Sequence, residues 1–416
     1  MPIFRVFAAL LAFSITSSLL QARSLQLSDD DLARKKEGLY VVGLPFANYN
    51  TDFGFGIGGG AYLFQNGKRL LPSGETNAAF RTFPHEVRVG LQLYITTLGQ
   101  QKHFLNVDVP RLFIDQLSFS AEFAYLRVLA DNYFGVGNNS AYGDIQTLIP
   151  TNFFGVPVLA LSNFYKLTTD QPYLQTKFSF SLPFDFYLLG ALRAKYVLVT
   201  SRNGVKLDNG AVVGQTLFDI EKPYGSKAGW ANSFQLGASF DKRDFTPYPT
   251  RGVYVRFLWE CFPAGLSDYA FNRLSLDTET FLQIAKPLVW ANRIFLQQHF
   301  GQVPFTELSS LGGNAVSRGY LDRRFIDQAV FLVNTELRFR FAKWKWGTEH
   351  FDLAAIPFLD LGQVSPALFS ADTFKRWRLS TGLELLLTWN LNTHLNLTAG
   401  FSEEGFSSAL DTRIMF

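Results

Sequence analysis

The sequence predicts an all-β chain, a 16-stranded antiparallel transmembrane β-barrel with one long loop folded inward between strands 11 and 12. Three observations point there. Strand-length segments alternate apolar and polar residues with a period of two, which gives each sheet face its own set of side chains. From residue 38 onward there are 16 such segments, an even number as in bacterial single-chain barrels. The connections between them alternate long and short, as the outer and inner loops of such barrels do.

Composition agrees. Apolar residues make up 47% of the 416 residues, yet no mature segment reaches the ~18 consecutive apolar residues of a spanning helix. Phe is abundant at 43, with 16 Tyr and 7 Trp, which suits strands that turn every second residue to lipid. A net charge of +3 gives no reason to expect nucleic acid as a partner. A single cysteine, Cys261, excludes an internal disulfide and a cysteine-based metal site.

Residues 1–24 read as a secretory signal peptide. Arg5 supplies the basic start, 6–20 the apolar core, and Ala22 and Ser24 the small residues for cleavage. Residues 25–37 form a short periplasmic tail and 38–416 the barrel. The strand-like segments run 39–48, 53–65, 82–98, 101–111, 116–130, 165–182, 184–200, 228–243, 251–263, 268–286, 289–302, 328–341, 351–363, 377–389, 392–402 and 406–416. With a periplasmic N-terminus, the long connections 130–163, 201–227 and 302–327 face outward. The inner turn at 65–81 is longer than the pattern expects.

Individual strands carry further information. The run GFGIGGG at 54–60 lacks the strand–loop–helix setting and the Lys-Ser/Thr of a phosphate loop, so it reads as close backbone packing within a strand. In 328–341, Phe331, Val333, Thr335, Leu337, Phe339 and Phe341 share one face, and Asn334, Glu336, Arg338 and Arg340 the other. In 351–363, Asp360 shares a face with Phe358 and Gly362, opposite Leu353, Leu359 and Leu361. The last strand alternates as well, and its terminal aromatic, Phe416, resembles the C-terminal sorting signal of outer-membrane barrels.

The most informative stretch is 311–327, LGGNAVSRGYLDRRFID. Its glycines permit tight turns and close approach to a wall. The planar guanidinium of Arg318 suits bidentate binding of carboxylates, and Glu336 and Asp360 lie on lumen-facing positions of the two following strands. On a loop long enough to fold inward, Arg318 could meet Glu336 and Asp360 there; from the residues alone, Arg318, Arg323 and Arg324 read equally as solvated charges of an outer loop.

Three separated stretches resemble one family, the BamA/TamA outer-membrane superfamily, also called the bacterial surface antigen family. DKRDFTPYPTRGVY at 241–254 resembles its D-x-R-D…P-T-x-G turn, with Asp241, Arg243, Asp244 and Gly252 in a periplasmic turn. GGNAVSRGY at 312–320 resembles its Arg-Gly-Phe/Tyr loop motif, here Arg318, Gly319 and Tyr320. FLDLGQV at 358–364 resembles its F-x-D-x-G-x-V strand motif, with Asp360 and Gly362. YFGVGN at 133–138 is similar to a segment of the family's barrel-only members.

The resemblance implies a barrel of the bacterial cell outer membrane whose loop arginine is pinned to the wall. It implies insertion or translocation of other proteins, with a first and last strand that pair weakly. Here Gly43 and Pro45 lie on the first of these, and Pro removes a ladder donor. Partners implied are outer-membrane lipid, unfolded outer-membrane protein clients, and the barrel assembly machinery for the chain's own insertion. The chain as read carries no periplasmic POTRA domain. A passive or gated pore and a structural surface barrel are the alternatives. No cofactor and no metal are expected, since His85, His103, His299, His350 and His394 form no ligand spacing. No G-x-S-x-G elbow occurs, and an enzyme is not expected.

Overall fold

Each wall strand turns Leu and Phe outward and polar side chains inward, and 16 such strands close on themselves. The computed structural model describes residues 35–411 apart from 76, 79, 81–82, 84, 141–150, 154–155, 159–162, 207–211, 245–247, 348, 370–375 and 390–392. The expected signal peptide, most of the expected tail, and Phe416 lie outside the described residues.

The wall strands are β1 Leu39–Asn50, β2 Gly54–Gln65, β3 Val87–Thr96, β4 Gln100–Val109, β5 Leu117–Asn132, β6 Lys166–Ser181, β7 Phe186–Ser201 and β8 Ser233–Asp241. They continue as β9 Gly252–Phe262, β10 Phe271–Ala285, β11 Leu288–Gly301, β12 Ala329–Trp346, β13 Glu349–Ser365, β14 Arg378–Trp389, β15 Thr393–Ser402 and β16 Gly405–Asp411. Every sequential neighbour pairs antiparallel, and β1 meets β16. The expected segment 228–243 is split into Gly229–Trp230 and β8, because Asn232 turns its amide oxygen to the Lys195 N–H at 3.1 Å. The expected strand 328–341 runs on to Trp346 past a register shift between Arg340 and Ala342.

Outward positions form an apolar belt. On β12, Leu337, Phe339 and Phe341 are exposed while Asn334, Glu336 and Arg338 are buried. At the short-turn end, Trp344, Phe351 and Trp389 stack on one another at 5.3 and 5.9 Å, an aromatic girdle of the kind found at a membrane interface. The glycines of β2 let neighbouring strands lay aromatic rings over the backbone. A Cβ at Gly58 would lie 2.6 Å from the Phe46 ring, and one at Gly56 would lie 2.3 Å from the Tyr94 hydroxyl.

The long-loop end is capped. Tyr133, Val197, Phe262, Phe271, Phe305 and Ile326 belong to one buried apolar cluster built from strand ends and loops. The helix α1, Leu217–Glu221, adds Phe218 to this cap and starts with a reciprocal capping box between Thr216 and Asp219. Tyr133 donates its hydroxyl to Glu221 at 2.7 Å, tying the loop after β5 to α1.

Candidate functional site

The segment between β11 and β12 is a strap lying against the inner face of the wall. Its base is a two-stranded ladder in which Ser309–Leu311 pairs with Phe325–Asp327. Leu311, Tyr320 and Phe325 pack with Val330, Leu332 and Val364, so apolar burial holds the strap against β12 and β13. The tip turns at Gly312, whose φ of +118° disfavours any side chain; a Cβ there would lie 2.2 Å from the Leu321 carbonyl oxygen.

Arg318 sits at the end of this tip and is 1% exposed. Its Nε and Nη2 donate to Asp360 at 3.0 and 2.8 Å, the bidentate fork expected of guanidinium and carboxylate. Its backbone N–H donates to the same Asp360 at 2.9 Å. Nη1 donates to Glu336 at 2.6 Å and to Glu384 at 3.4 Å. The guanidinium lies 3.6 Å from the centroid of the Phe358 ring. Asp360 also accepts from Asn334 at 2.8 Å, so the carboxylate is held from both the strap and β12.

The structure thus brings Arg318, Glu336 and Asp360 together, and Gly319, Tyr320 and Gly362 with them. Gly319 has φ +105°, and a Cβ there would lie 3.0 Å from the Phe401 backbone. Tyr320 donates to the Leu379 carbonyl at 3.2 Å. A Cβ at Gly362 already sits 2.6 Å from Leu311 of the strap, so the wall leaves no more room there.

Sequence reasoning missed several members. Glu384 on β14 is the third carboxylate facing Arg318, held by Asn396 at 3.3 Å and Thr398 at 3.4 Å. It occupies an inward position of an alternating strand, which was the available signal. Gly400 of β15 lies where the tip approaches; a Cβ would be 2.6 Å from Gly319 N. Arg338 reaches Glu336 at 3.0 Å and lies 5.5 Å from the ring of Tyr248, a residue of the turn after β8. Arg324 binds Glu404 at 2.7 Å, and Arg323 donates to the Phe305 carbonyl at 2.8 Å.

The turn after β8 closes on itself. Arg243 grips Asp241 at 2.7 Å and Glu279 at 2.9 Å, over the Tyr254 ring. Asp244 accepts from the N–H groups of Thr250 at 2.9 Å and Arg251 at 3.1 Å. Gly252, with φ +114°, leaves space for the Lys242 carbonyl, 2.1 Å from where a Cβ would be. Tyr248 of this turn meets the lock through Arg338.

A second polar contact joins the strap tip to the barrel mouth. Asp322 donates its N–H to Asp52, in the β1–β2 turn, at 2.9 Å; Asn132 donates to Asp52 at 2.8 Å and to the Asp322 carbonyl at 3.0 Å. Asp131 of β5 and Lys166 of β6 face the same group, with Arg323 and Lys102 nearby. Burial, and then repulsion from Asp52 and Asp131, pushes the Asp322 carboxyl up to about 7. The folded protein therefore holds a proton that the unfolded chain has released. This contribution to stability is fully present below the ordinary carboxylate value and is lost as pH rises through about 7. The heat needed to unfold the barrel is expected to be lower at pH ~8 than at pH ~5, and Asp322→Asn to flatten that difference. Thermal unfolding followed by gel mobility checks it; an undiminished difference in the variant would place the titration elsewhere.

Residues 132–393 match the Omp85 superfamily domain, and residues 18–76 match a domain of unknown function, DUF5982. The first match begins at the segment 133–138 singled out in the sequence and includes all three motif stretches. No curated protein matches the chain. Among solved structures, BamA from Haemophilus ducreyi lacking POTRA domains 1–3 is similar with a TM-score of 0.54 and 13% identity, over 90% of this chain and 70% of that one. CdiB from Escherichia coli is similar with a TM-score of 0.56 and 11% identity, over 89% of this chain and 62% of that one. At these identities the two structures speak for the fold. The domain match spans more than half of the sequence, and the barrel with its three motifs agrees with it: the chain belongs to the Omp85 superfamily.

Proposed function

We propose that this chain works in the bacterial outer membrane as a barrel that inserts or passes other proteins, opening between β1 and β16 toward lipid. One contrast carries this reading. The strap is pinned by buried ion pairs and the long-loop end is capped, whereas β1 and β16 meet, among the described residues, at only Tyr49–Leu410 and Asn50–Ala409. Thr51 and Ser408 extend that contact by hydrogen bonds of 3.2, 3.1 and 3.0 Å. Other neighbouring strands share long ladders, such as the one joining β1 to β2 from Leu39 to Asn50. An edge with few ladder bonds offers a template for an incoming strand. The substrates of this reading are unfolded outer-membrane proteins, which present such strands.

The test is refolding of an unrelated outer-membrane barrel into liposomes with and without this protein embedded. Faster, saturable folding is expected. No acceleration, together with steady ion conductance through the same liposomes, would replace this reading with a pore. The seam has its own check. Cysteines at Asn50 and Ala409, with Cys261 changed to Ser, face each other in the ladder and suit a disulfide. Oxidation is expected to abolish the acceleration and reduction to restore it; full activity in the oxidised form would rule out opening at this seam.

A further inference from the structure

The strap carries a further buried charge, on its first limb. Glu307 lies in a short turn, Phe305–Glu307, and is 4% exposed. Three cations of the wall converge on it. Lys195 reaches it at 2.8 Å, Arg193 at 3.0 Å and Arg273 at 3.7 Å. Arg193 and Lys195 belong to β7 and Arg273 to β10, so all three stand on the barrel wall while the carboxylate stands on the loop. Among the described residues a single wall carboxylate, Glu260 of β9, shares Arg193 at 3.3 Å and also pairs with Arg273.

The surroundings fit a built site. Arg193 and Arg273 lie 5.3 and 5.6 Å from the Phe262 ring, and Ser233 donates to Glu260, so the cations are held in place by the wall. Burial alone would push the Glu307 carboxyl up, but Arg193, Lys195 and Arg273 together hold it well below the ordinary carboxylate range. Phe305 beside it is buried against Tyr133 and Phe218, with centroids at 5.2 and 5.8 Å. This sector, β7 to β10, lies on one side of β11; the Arg318 site, on β12 to β14, lies on the other.

We propose that Arg193, Lys195 and Arg273 form an anion site on the lumen wall that takes carboxylates, and that Glu307 is its tethered occupant. The strap is then a bridge held on two sectors of the wall by charges of opposite sign, Glu307 on one and Arg318 on the other. With one end released, the other stays attached and keeps the first at high local concentration, so reclosure is favoured. Removing Glu307 also leaves three wall cations against the single carboxylate of Glu260. The vacated site is open to a multivalent carboxylate from solution.

The inference does not depend on what the barrel inserts, and its readout is conductance rather than client folding. The full chain is placed in planar bilayers as wild type, Arg318→Ala, Glu307→Gln and the double variant. Losing Arg318 is expected to raise the open fraction by about a hundredfold or more, losing Glu307 by about tenfold, and losing both by more than the product of the two. Pores of the double variant are expected to be blocked by citrate, and Lys195→Gln added to them to relieve the block. A double variant no more open than Arg318→Ala would overturn the bridge. Absence of citrate block, or block unaffected by Lys195→Gln, would overturn the anion site. If Glu307→Gln does not reach the folded gel band, Lys195→Gln with Arg318→Ala tests the same contact from the wall. Closure equal to that of Arg318→Ala alone would then count against the proposal.

Discussion

Replacing Arg318 with alanine is expected to lower the unfolding temperature of the barrel and to produce more frequent open events than wild type in a planar membrane. Arg318 is one end of a buried network with Asp360, Glu336 and Glu384, and it is the only member contributed by the loop. Breaking a buried pair from one side leaves the partner charges uncompensated, at a cost of roughly 3–5 kcal/mol. Three inward carboxylates would then face Arg338 alone among the cations of the lock, and the residual current is expected to favour cations. Arg318→Lys is expected to recover only part of the loss, since an ammonium cannot reproduce the fork on Asp360. Thermal unfolding by gel mobility and bilayer conductance measure both effects. An unchanged melting temperature with unchanged conductance would remove this lock from the account of the protein.

A change on the wall tests the fit of the strap without touching a charge. Gly400→Leu is expected to expel the strap tip while the wall itself remains folded. Gly400 pairs with Gly382 on β14 and Ser407 on β16 in an ordinary extended ladder, where a larger residue is tolerated. The side chain would enter the space now filled by the tip, because a Cβ at this position lies 2.6 Å from Gly319 N and 2.8 Å from Arg318 C. Backbone atoms cannot step aside as flexible side chains do, so the whole tip moves and the bidentate pair is lost with it. The effect should match that of Arg318→Ala, again roughly 3–5 kcal/mol of lost closure. Limited trypsin digestion reads it directly. Arg318 and Arg324 are both 1% exposed in the closed strap, so wild type should resist cleavage there while Gly400→Leu is cut. Continued protection in the variant would mean that the tip accommodates the leucine and that shape contributes little.

The wall and the lock were legible to different depths in the sequence. The 16 strands could be read because alternation is a local property: a strand between lipid and lumen must change polarity at every residue, whatever lies beside it. Glu336 and Asp360 could be placed on the lumen face by the same rule, and the three motif stretches marked the family that the domain match then established. Glu384, Gly400 and Glu307 were not visible in this way. Glu384 and Gly400 sit on strands whose inward residues are read one strand at a time, and nothing in β14 or β15 alone says that an arginine from a distant loop ends between them. Glu307 lies in a loop, where no periodicity exists to give it a direction, and its partners stand on β7, 114 and 112 residues earlier, and on β10, the neighbour of β11. The sequence by itself determined which faces of the wall are wet and which meet lipid, because burial on a strand follows the pleat. Only the tertiary structure decided which buried charges meet across the lumen, because that depends on barrel closure bringing separate strands to one height and on the one path the strap can take between them.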